Sequence, residues 1–538
     1  MEIYSMENEQ IETEPMERPG RTALHEDKEA ASYVLGSATT SLPLKIAASS
    51  LASPGCGLFT EKQIDEGRQI FTSKPLIACV DTRVVSVCHY CLEDSVTGIP
   101  SQRRQKPTPQ TCSGCKLARF CSKDCQTKAW KIYHKDECKI LRQYPDITSN
   151  HLALYRLLFW QKKKYLSTKV AKVLSLLEDH FHDHADQDNA DDIYTAAESI
   201  RTTAQSNVAL HVAWKLLLAI QSNTMQIRFP DTQQTYGEFI DHLTCTINHS
   251  CNPNTVLFVE KGHVVARSLR VIQPGDELTI CYVDSMAPVA SRRAALERDH
   301  FFHCYCTRCV SEAQEERRLV AKANTTLTVL HKAQSSMIRK VNEAMLAAHN
   351  RGTRKQYEDP EKMANDINSL ACATFSKNIE WPDHLHPMAK THSTIAWLYE
   401  KKDLLLPAVR HALTATLLGG YRSGPDFVNL LCDLTQFLGR IAAEAPDAPV
   451  FQVADFPVLW HIQTVVRGYG LVLVKTASRV YGGQTGFTLD VCDWFAMMNE
   501  GAHPMPGTPE FGPAFEEAQK KLLAWAEMEE GLGIVLPP

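Results

Sequence analysis

Apolar and polar positions divide the chain into stretches of different period. Residues 1 to about 43 are rich in Glu, Ser and Thr and show no apolar periodicity, which predicts a disordered tail. Over 44–87 short apolar runs, Gln69-Ile70-Phe71 and Leu76-Ile77-Ala78-Cys79-Val80 among them, are divided by Gly55-Cys56-Gly57 and Asp65-Glu66-Gly67, the punctuation of strands and turns. From 150 to about 225 the spacing turns helical, with Leu152, Leu154, Leu157 and Leu158 and then Val208, Leu210, Val212, Trp214 and Leu216 to Leu218 marking buried faces. Strands return at 254–260 and 263–270 around Lys261-Gly262, a two-residue hairpin signal, and Gln273-Pro274-Gly275-Asp276 turns the chain into a third strand over 277–283. Pro288 opens a helix running to about Arg298. From about Ser311 onward the pattern is helical, with 388–400 and 404–418 paired across a short turn but no strict repeat period.

A chain of 538 residues exceeds what one hydrophobic core usually supports, so several domains are expected. The N-terminus lacks the apolar stretch of a signal peptide, and the most apolar later run, 469–474, is far too short to span a bilayer. The expectation is a nuclear or cytoplasmic protein with no membrane contact. A net charge of -5 excludes nucleic-acid binding by bulk electrostatics, but ten Lys or Arg against five Asp or Glu between Cys88 and Lys139 make that segment locally basic.

Eleven of the 18 cysteines fall at close spacings, which without a secretion signal reads as zinc rather than disulfides. The first group is Cys88-x2-Cys91, Cys112-x2-Cys115, Cys121-x3-Cys125 and His134-x3-Cys138, eight ligands for two closed tetrahedral sites. A segment of some fifty residues with few apolar positions needs the metal to fold. Spacing alone leaves the pairing open. The tail Phe120-Cys121-Ser122-Lys123-Asp124-Cys125-Gln126 with Trp130, His134 and Cys138 resembles the MYND finger. That resemblance implies interleaved sites, Cys88, Cys91, Cys121 and Cys125 on one zinc and Cys112, Cys115, His134 and Cys138 on the other. It also implies docking of proline-rich peptides. A RING-type ubiquitin ligase is the rival, disfavoured by the histidine lying between the last two cysteines and by the motifs carried downstream of the finger. Lys116, Arg119, Lys123, Lys128, Lys131 and Lys135 form a basic face suited to weak nucleic-acid contact or an acidic partner, or simply to solvation.

Three further segments, Gly55-Cys56-Gly57-Leu58-Phe59, Asn248-His249-Ser250-Cys251-Asn252-Pro253-Asn254 and Gly275-Asp276-Glu277-Leu278-Thr279-Ile280-Cys281-Tyr282, resemble the SET domain in order and context. Together with the finger they identify a SET and MYND domain (SMYD-type) protein-lysine methyltransferase. The resemblance implies that S-adenosylmethionine contacts Gly55, Gly57, Asn223, Asn248, His249, Tyr282 and Phe302, and that Tyr282 orients the acceptor amine. The family has a basic or polar residue where this chain has Cys56. The resemblance also brings Cys251 beside Cys304, Cys306 and Cys309 as a third, structural zinc. The reaction that the resemblance implies is an in-line displacement at the sulfonium methyl by a neutral lysine of a histone or other protein, favoured by a dry channel. The alternative is a scaffold with methyl transfer lost, recruiting partners through its finger.

The expected fold is a multidomain α+β protein: a disordered tail 1–43, the N-terminal SET part 44–87, the finger 88–138, a helical insertion 139–228, the SET core 229–286, a post-SET zinc segment 287–315 and an all-helical domain 316–538. His180-Phe181-His182-Asp183-His184 with Asp186, Asp188, Asp191 and Asp192 reads as a solvated loop rather than a metal site, and Cys281 as strand packing rather than a nucleophile.

Overall fold

A computed structural model describes residues 23–51, 55–97, 104–105, 107–185, 189–349, 358–375 and 381–528. Small sheets occupy the first half and helices the second, giving the α+β architecture. One antiparallel sheet runs in the order Ala38–Thr39, Gln69–Ser73, His263–Ser268, Thr255–Glu260. A second runs Met225–Arg228, Thr235–Ile240, Ile77–Val80. The hairpin at Lys261-Gly262 forms as its sequence demands: both residues have positive φ, 49° and 75°, the conformation of a type I′ turn matched to strand twist. Val264 and Ala266 beyond it, two apart and so on one face of the sheet, are fully buried.

The structure departs from several of the sequence-based expectations. Residues 28–36 of the supposed tail form a helix, Lys28–Gly36, capped by the Asp27 carboxylate and burying Ala30 and Val34; residues 1–22 lie outside the described residues. Tertiary contact outweighs its polar composition: the helix packs against Thr168–Leu176, with Lys172 paired to Asp27 at 3.3 Å. The expected strand 277–283 is strand only at Thr279–Ile280, which pairs in parallel with Asn248–His249, while Glu277 bridges to Phe59. Strand Met225–Arg228 belongs to the sheet, so the β core begins before 229. Helix Thr307–Lys322 runs through the 315/316 boundary and already carries Cys309.

The finger clamps onto the β region. Lys261 N donates to Glu93 Oε1 (3.0 Å) and Tyr236 OH to Leu92 O (3.3 Å). On its other side Arg156, 5% exposed on helix Ser149–Lys162, grips the carboxylate of Glu137 on helix Lys135–Gln143 and donates to Ala78 O at 3.1 Å. Its guanidinium lies 4.1 Å from the centre of the Tyr133 ring. This buried cation, bonded to both a carboxylate and a backbone carbonyl, holds insertion, finger and sheet together.

The C-terminal lobe is built around helix Leu459–Val480, against which Gly424–Ala442, Gly486–Met498 and Phe511–Trp525 pack. Gly468 and Gly470 in that helix permit the closest approaches: a Cβ on Gly468 falls 2.1 Å from the Phe515 ring, and one on Gly470 falls 2.9 Å from Phe495. The lobe closes over the first sheet through Tyr481, whose hydroxyl accepts from Gln233 Nε2 (2.9 Å) and whose ring meets Phe258 edge-on. No helix among the described residues is long and apolar enough to cross a membrane.

Candidate functional site

Among the described residues three four-ligand clusters form, each with all ligand atoms within 4.8 Å of one another: Cys88, Cys91, Cys121, Cys125; Cys112, Cys115, His134, Cys138; and Cys251, Cys304, Cys306, Cys309. Tetrahedral zinc with bonds near about 2.3 Å sets sulfurs about 3.8 Å apart. The observed separations fit: Cys91–Cys121 3.6 Å, Cys121–Cys125 3.5 Å, Cys112–Cys138 3.8 Å, Cys309–Cys251 3.4 Å, and Cys115 Sγ to His134 Nε2 3.9 Å. Donor type and closed geometry suit structural zinc, so the clusters can hold three ions.

One helical rod carries ligands of both finger clusters. Ser122 caps helix Lys123–Ala129 by accepting from Cys125 N at 3.1 Å, and a π segment, Trp130–His134, leads on to Lys135–Gln143. The wider turn sets the angle at which His134 leaves the rod, after Cys125 and before Cys138.

The motif segments converge although Asn248 lies 192 residues from Cys56 in sequence. Leu278 N donates to Leu58 O (2.7 Å), and Ser250 N to Ile280 O (2.9 Å), interleaving the three segments. Asn248 Nδ2 donates to Cys56 O (2.9 Å) and to Glu277 Oε1 (2.6 Å), and Glu277 also accepts from Ser49 Oγ (2.8 Å). Gly57 makes room for this carboxylate, since a Cβ there falls 2.2 Å from Glu277 Oε1. The Asn248 amide therefore clamps the glycine turn to the Tyr282 segment. Sequence reasoning missed Glu277 and Ser49 as site residues; a carboxylate next to the apolar Leu278-Thr279-Ile280 is the signal that marks the first.

His249 is 6% exposed; its Nδ1 accepts from Tyr282 N (3.0 Å) and its Nε2 lies 3.1 Å from Cys251 Sγ. Its ring centre lies 5.3 Å from that of Tyr282 and 5.9 Å from that of Phe302. Burial lowers the His249 pKa to about 4 and that of His300, beside Tyr282, likewise to about 4, so both are neutral at pH 7. Tyr282 donates its hydroxyl proton to Ile247 O at 2.6 Å, and burial raises its pKa, keeping the phenol protonated. Cys56 between the glycines is pushed up to about 11, first by burial and then by Glu277 and Glu178, so it remains a thiol. Cys281 donates to Val283 O at 3.2 Å, a packing role.

Asn223 ends helix Leu210–Asn223, with its amide donating to Glu178 O (2.7 Å) and Ala219 O (2.8 Å). The segment it holds corrects the solvated-loop reading of 180–192: Phe181–Ala185 is a short helix, and His180 and His184 pack on the Phe301 ring at 5.1 and 4.7 Å, next to Phe302; residues 186–188 lie outside the described residues. Apolar contact with an aromatic from a distant segment was not visible in local composition. The Gly55 carbonyl, just N-terminal to strand Cys56–Thr60, accepts from Ser49 N at 3.2 Å.

On the other side of Tyr282 opens a groove of about 800 Å³, walled by Met225, Gln226, Val256 and Phe258 of the sheets and by Tyr421, Asp426 and Tyr481 of the helical lobe. Arg308 lies in its wall, donating to Cys251 O (3.1 Å), Ser285 O (2.8 Å) and His386 Nε2 (2.8 Å).

Comparison with known proteins agrees with this geometry. Residues 55–283 match the SET domain family. A "SET domain and MYND-type zinc finger protein 6" of Schizosaccharomyces pombe is 27% identical over 48% of this chain and 50% of its own. Human "Histone-lysine N-methyltransferase SMYD3" is 28% identical over 51% of this chain and 63% of its own, and Arabidopsis thaliana "Histone-lysine N-methyltransferase ASHR1" 28% identical over 48% and 54%. The chain thus spans about half to under two thirds of the length of these curated relatives. With a SET match that encloses the paired finger clusters and ends just past Tyr282, the chain carries a SET domain and is similar to SET and MYND domain (SMYD-type) proteins.

Proposed function

We propose that the protein is an S-adenosylmethionine-dependent protein-lysine N-methyltransferase that recruits partners through its finger. The observation that carries this reading is the fixing of Tyr282 at both ends, backbone to His249 and hydroxyl to Ile247, between a clamped glycine turn and an open groove. Bound S-adenosylmethionine supplies an electrophilic methyl group. Gly55 and Gly57 offer it bare backbone, Asn248 and Glu277 keep that backbone in place, and Phe302 and Asn223 close the pocket; Glu178 and His180 stand beside them. Lysine enters by the groove. A free lysine amine has a pKa near about 10.4, and burial beside Tyr282 with neutral His249 and His300 disfavours the ammonium form. The Tyr282 ring aligns the amine.

The substrate is a lysine-bearing protein, histone or non-histone, because the groove runs between two lobes and takes an extended chain rather than a small molecule. Exposed Trp130 and Ile132 on the finger suit a proline-rich peptide, and the exposed Lys116, Lys123, Lys128, Lys131 and Lys135 suit weak nucleic-acid or acidic contacts. Nuclear and cytoplasmic compartments both accommodate these partners. Calorimetric titration of S-adenosylmethionine into zinc-loaded protein, followed by labelled methyl transfer onto histones and cell extract, tests the reading. Binding lost in Asn248→Ala, with label on lysine lost in Tyr282→Phe, supports it. Folded wild-type protein that binds no cofactor overturns it and leaves the scaffold.

A further inference from the structure

We propose that His249 is a positioning residue that ties the third metal cluster to Tyr282, so that the state of this cluster governs the geometry of the transfer site. The proposal rests on the reading of residues 55–283 as a methyl-transfer site and adds a connection to it.

The connection starts at a backbone donor. The Tyr282 N–H has a proton to give and no lone pair to offer, and it points at His249 Nδ1 from 3.0 Å, so Nδ1 carries the lone pair. A neutral imidazole accepting at one nitrogen has its proton on the other. Nε2–H then faces Cys251 Sγ at 3.1 Å and donates to it. Metal-bound cysteine is a thiolate, the strongest acceptor sulfur can provide, and the Cys251 sulfur sits 3.4 Å from Cys309 within a cluster whose spacing fits zinc. The imidazole is thus a rigid two-ended strut from cluster to strand.

The physical consequence is directional. With the thiolate in place the strut is held at both ends, and the Tyr282 backbone has one position. Without the metal the Cys251 sulfur loses its fixed place in the cluster, and the ring is then held at the Tyr282 end alone. Partners that orient metal ligands typically change affinity or activity by about 10- to 100-fold when removed.

Two substitutions separate the ends. His249→Asn places an amide where Nδ1 was and keeps an acceptor for Tyr282 N–H but removes the donor to sulfur. His249→Gln reaches the place of Nε2 and keeps the donor but removes the acceptor. Each is loaded with cobalt in place of zinc, and the thiolate-to-cobalt absorption is read alongside the melting temperature and the S-adenosylmethionine affinity. The expected result is a shift of the thiolate band to longer wavelength in His249→Asn, where the sulfur regains electron density, and a wild-type band in His249→Gln. Both variants melt like the wild type and lose about 10- to 100-fold in methyl transfer. A band unchanged in His249→Asn, or transfer retained in both variants, overturns the proposal; so does loss of transfer that merely tracks a fall in melting temperature. The band needs neither cofactor nor turnover, so wild-type protein that fails to bind S-adenosylmethionine refutes the proposed function while the spectra still decide whether the strut exists.

Discussion

The finger buries Cys88, Cys112, Cys115, Cys125 and His134 with little more than Ala118, Phe120 and Ala129 beside them, whereas the helical lobe buries Tyr469, Phe511, Phe515, Trp494 and some three dozen further apolar side chains around one central helix. The first region is held by ligand spacing and the second by volume. Ligand atoms have no substitute once the metal leaves. A packed core loses stability in increments, each set by the volume removed.

The largest effect expected from this contrast is that of metal removal. Each structural zinc accounts for about 10–16 kcal/mol in isolated fingers at pH 7, so a strong chelator should unfold 88–138 while circular dichroism retains most of the helical signal of the lobe. Equal loss from both regions would erase the distinction. Trp494→Ala should destabilise the lobe by about 3–5 kcal/mol in denaturant titration and leave zinc content, read by metal analysis, unchanged. At the seam, Arg156→Met strands the buried Glu137 carboxylate and should cost about 3–5 kcal/mol, seen as accelerated proteolysis of the finger before the lobe. Asp433 in the lobe has its pKa raised to about 7 by burial and by Asp231 and Glu400. A raised folded-state value means that its contribution is full below the usual carboxylate range near about pH 4 and is lost as pH rises through about 7. Asp433→Asn should therefore raise the melting temperature at about pH 8 and change it little at about pH 4. Smallest, Ser122→Ala removes one helix cap inside the finger and should cost about 1 kcal/mol, detectable as weaker zinc retention in competition with a chelator.

Ligand spacing made the finger legible from sequence because a metal reads only residue type and short separations. The Lys261-Gly262 hairpin was legible because positive φ at two successive residues has a narrow chemistry. Helix Lys28–Gly36 was not, since its stability comes from a partner helix, Thr168–Leu176, far along the chain rather than from its own apolar content. Glu277 lies inside a recognisable motif, yet its work, accepting from Asn248 and Ser49, appears only when three distant segments meet. The same holds for His180 and His184 on Phe301. In each case the missing information was long-range contact, which local pattern does not carry.

The parallel pairing of Asn248–His249 with Thr279–Ile280 has a consequence for synthesis. The glycine turn leaves the ribosome first, and at about 5–20 residues per second the asparagine that clamps it emerges only ~10–40 s later. Within that interval the finger's eight ligands all leave the exit tunnel and become free to take up metal, while the glycine turn waits for both halves of its support. A nascent chain halted shortly before residue 277 thus has every finger ligand but not the carboxylate that Asn248 binds, and the clamp closes only when the last of the three segments is threaded into place.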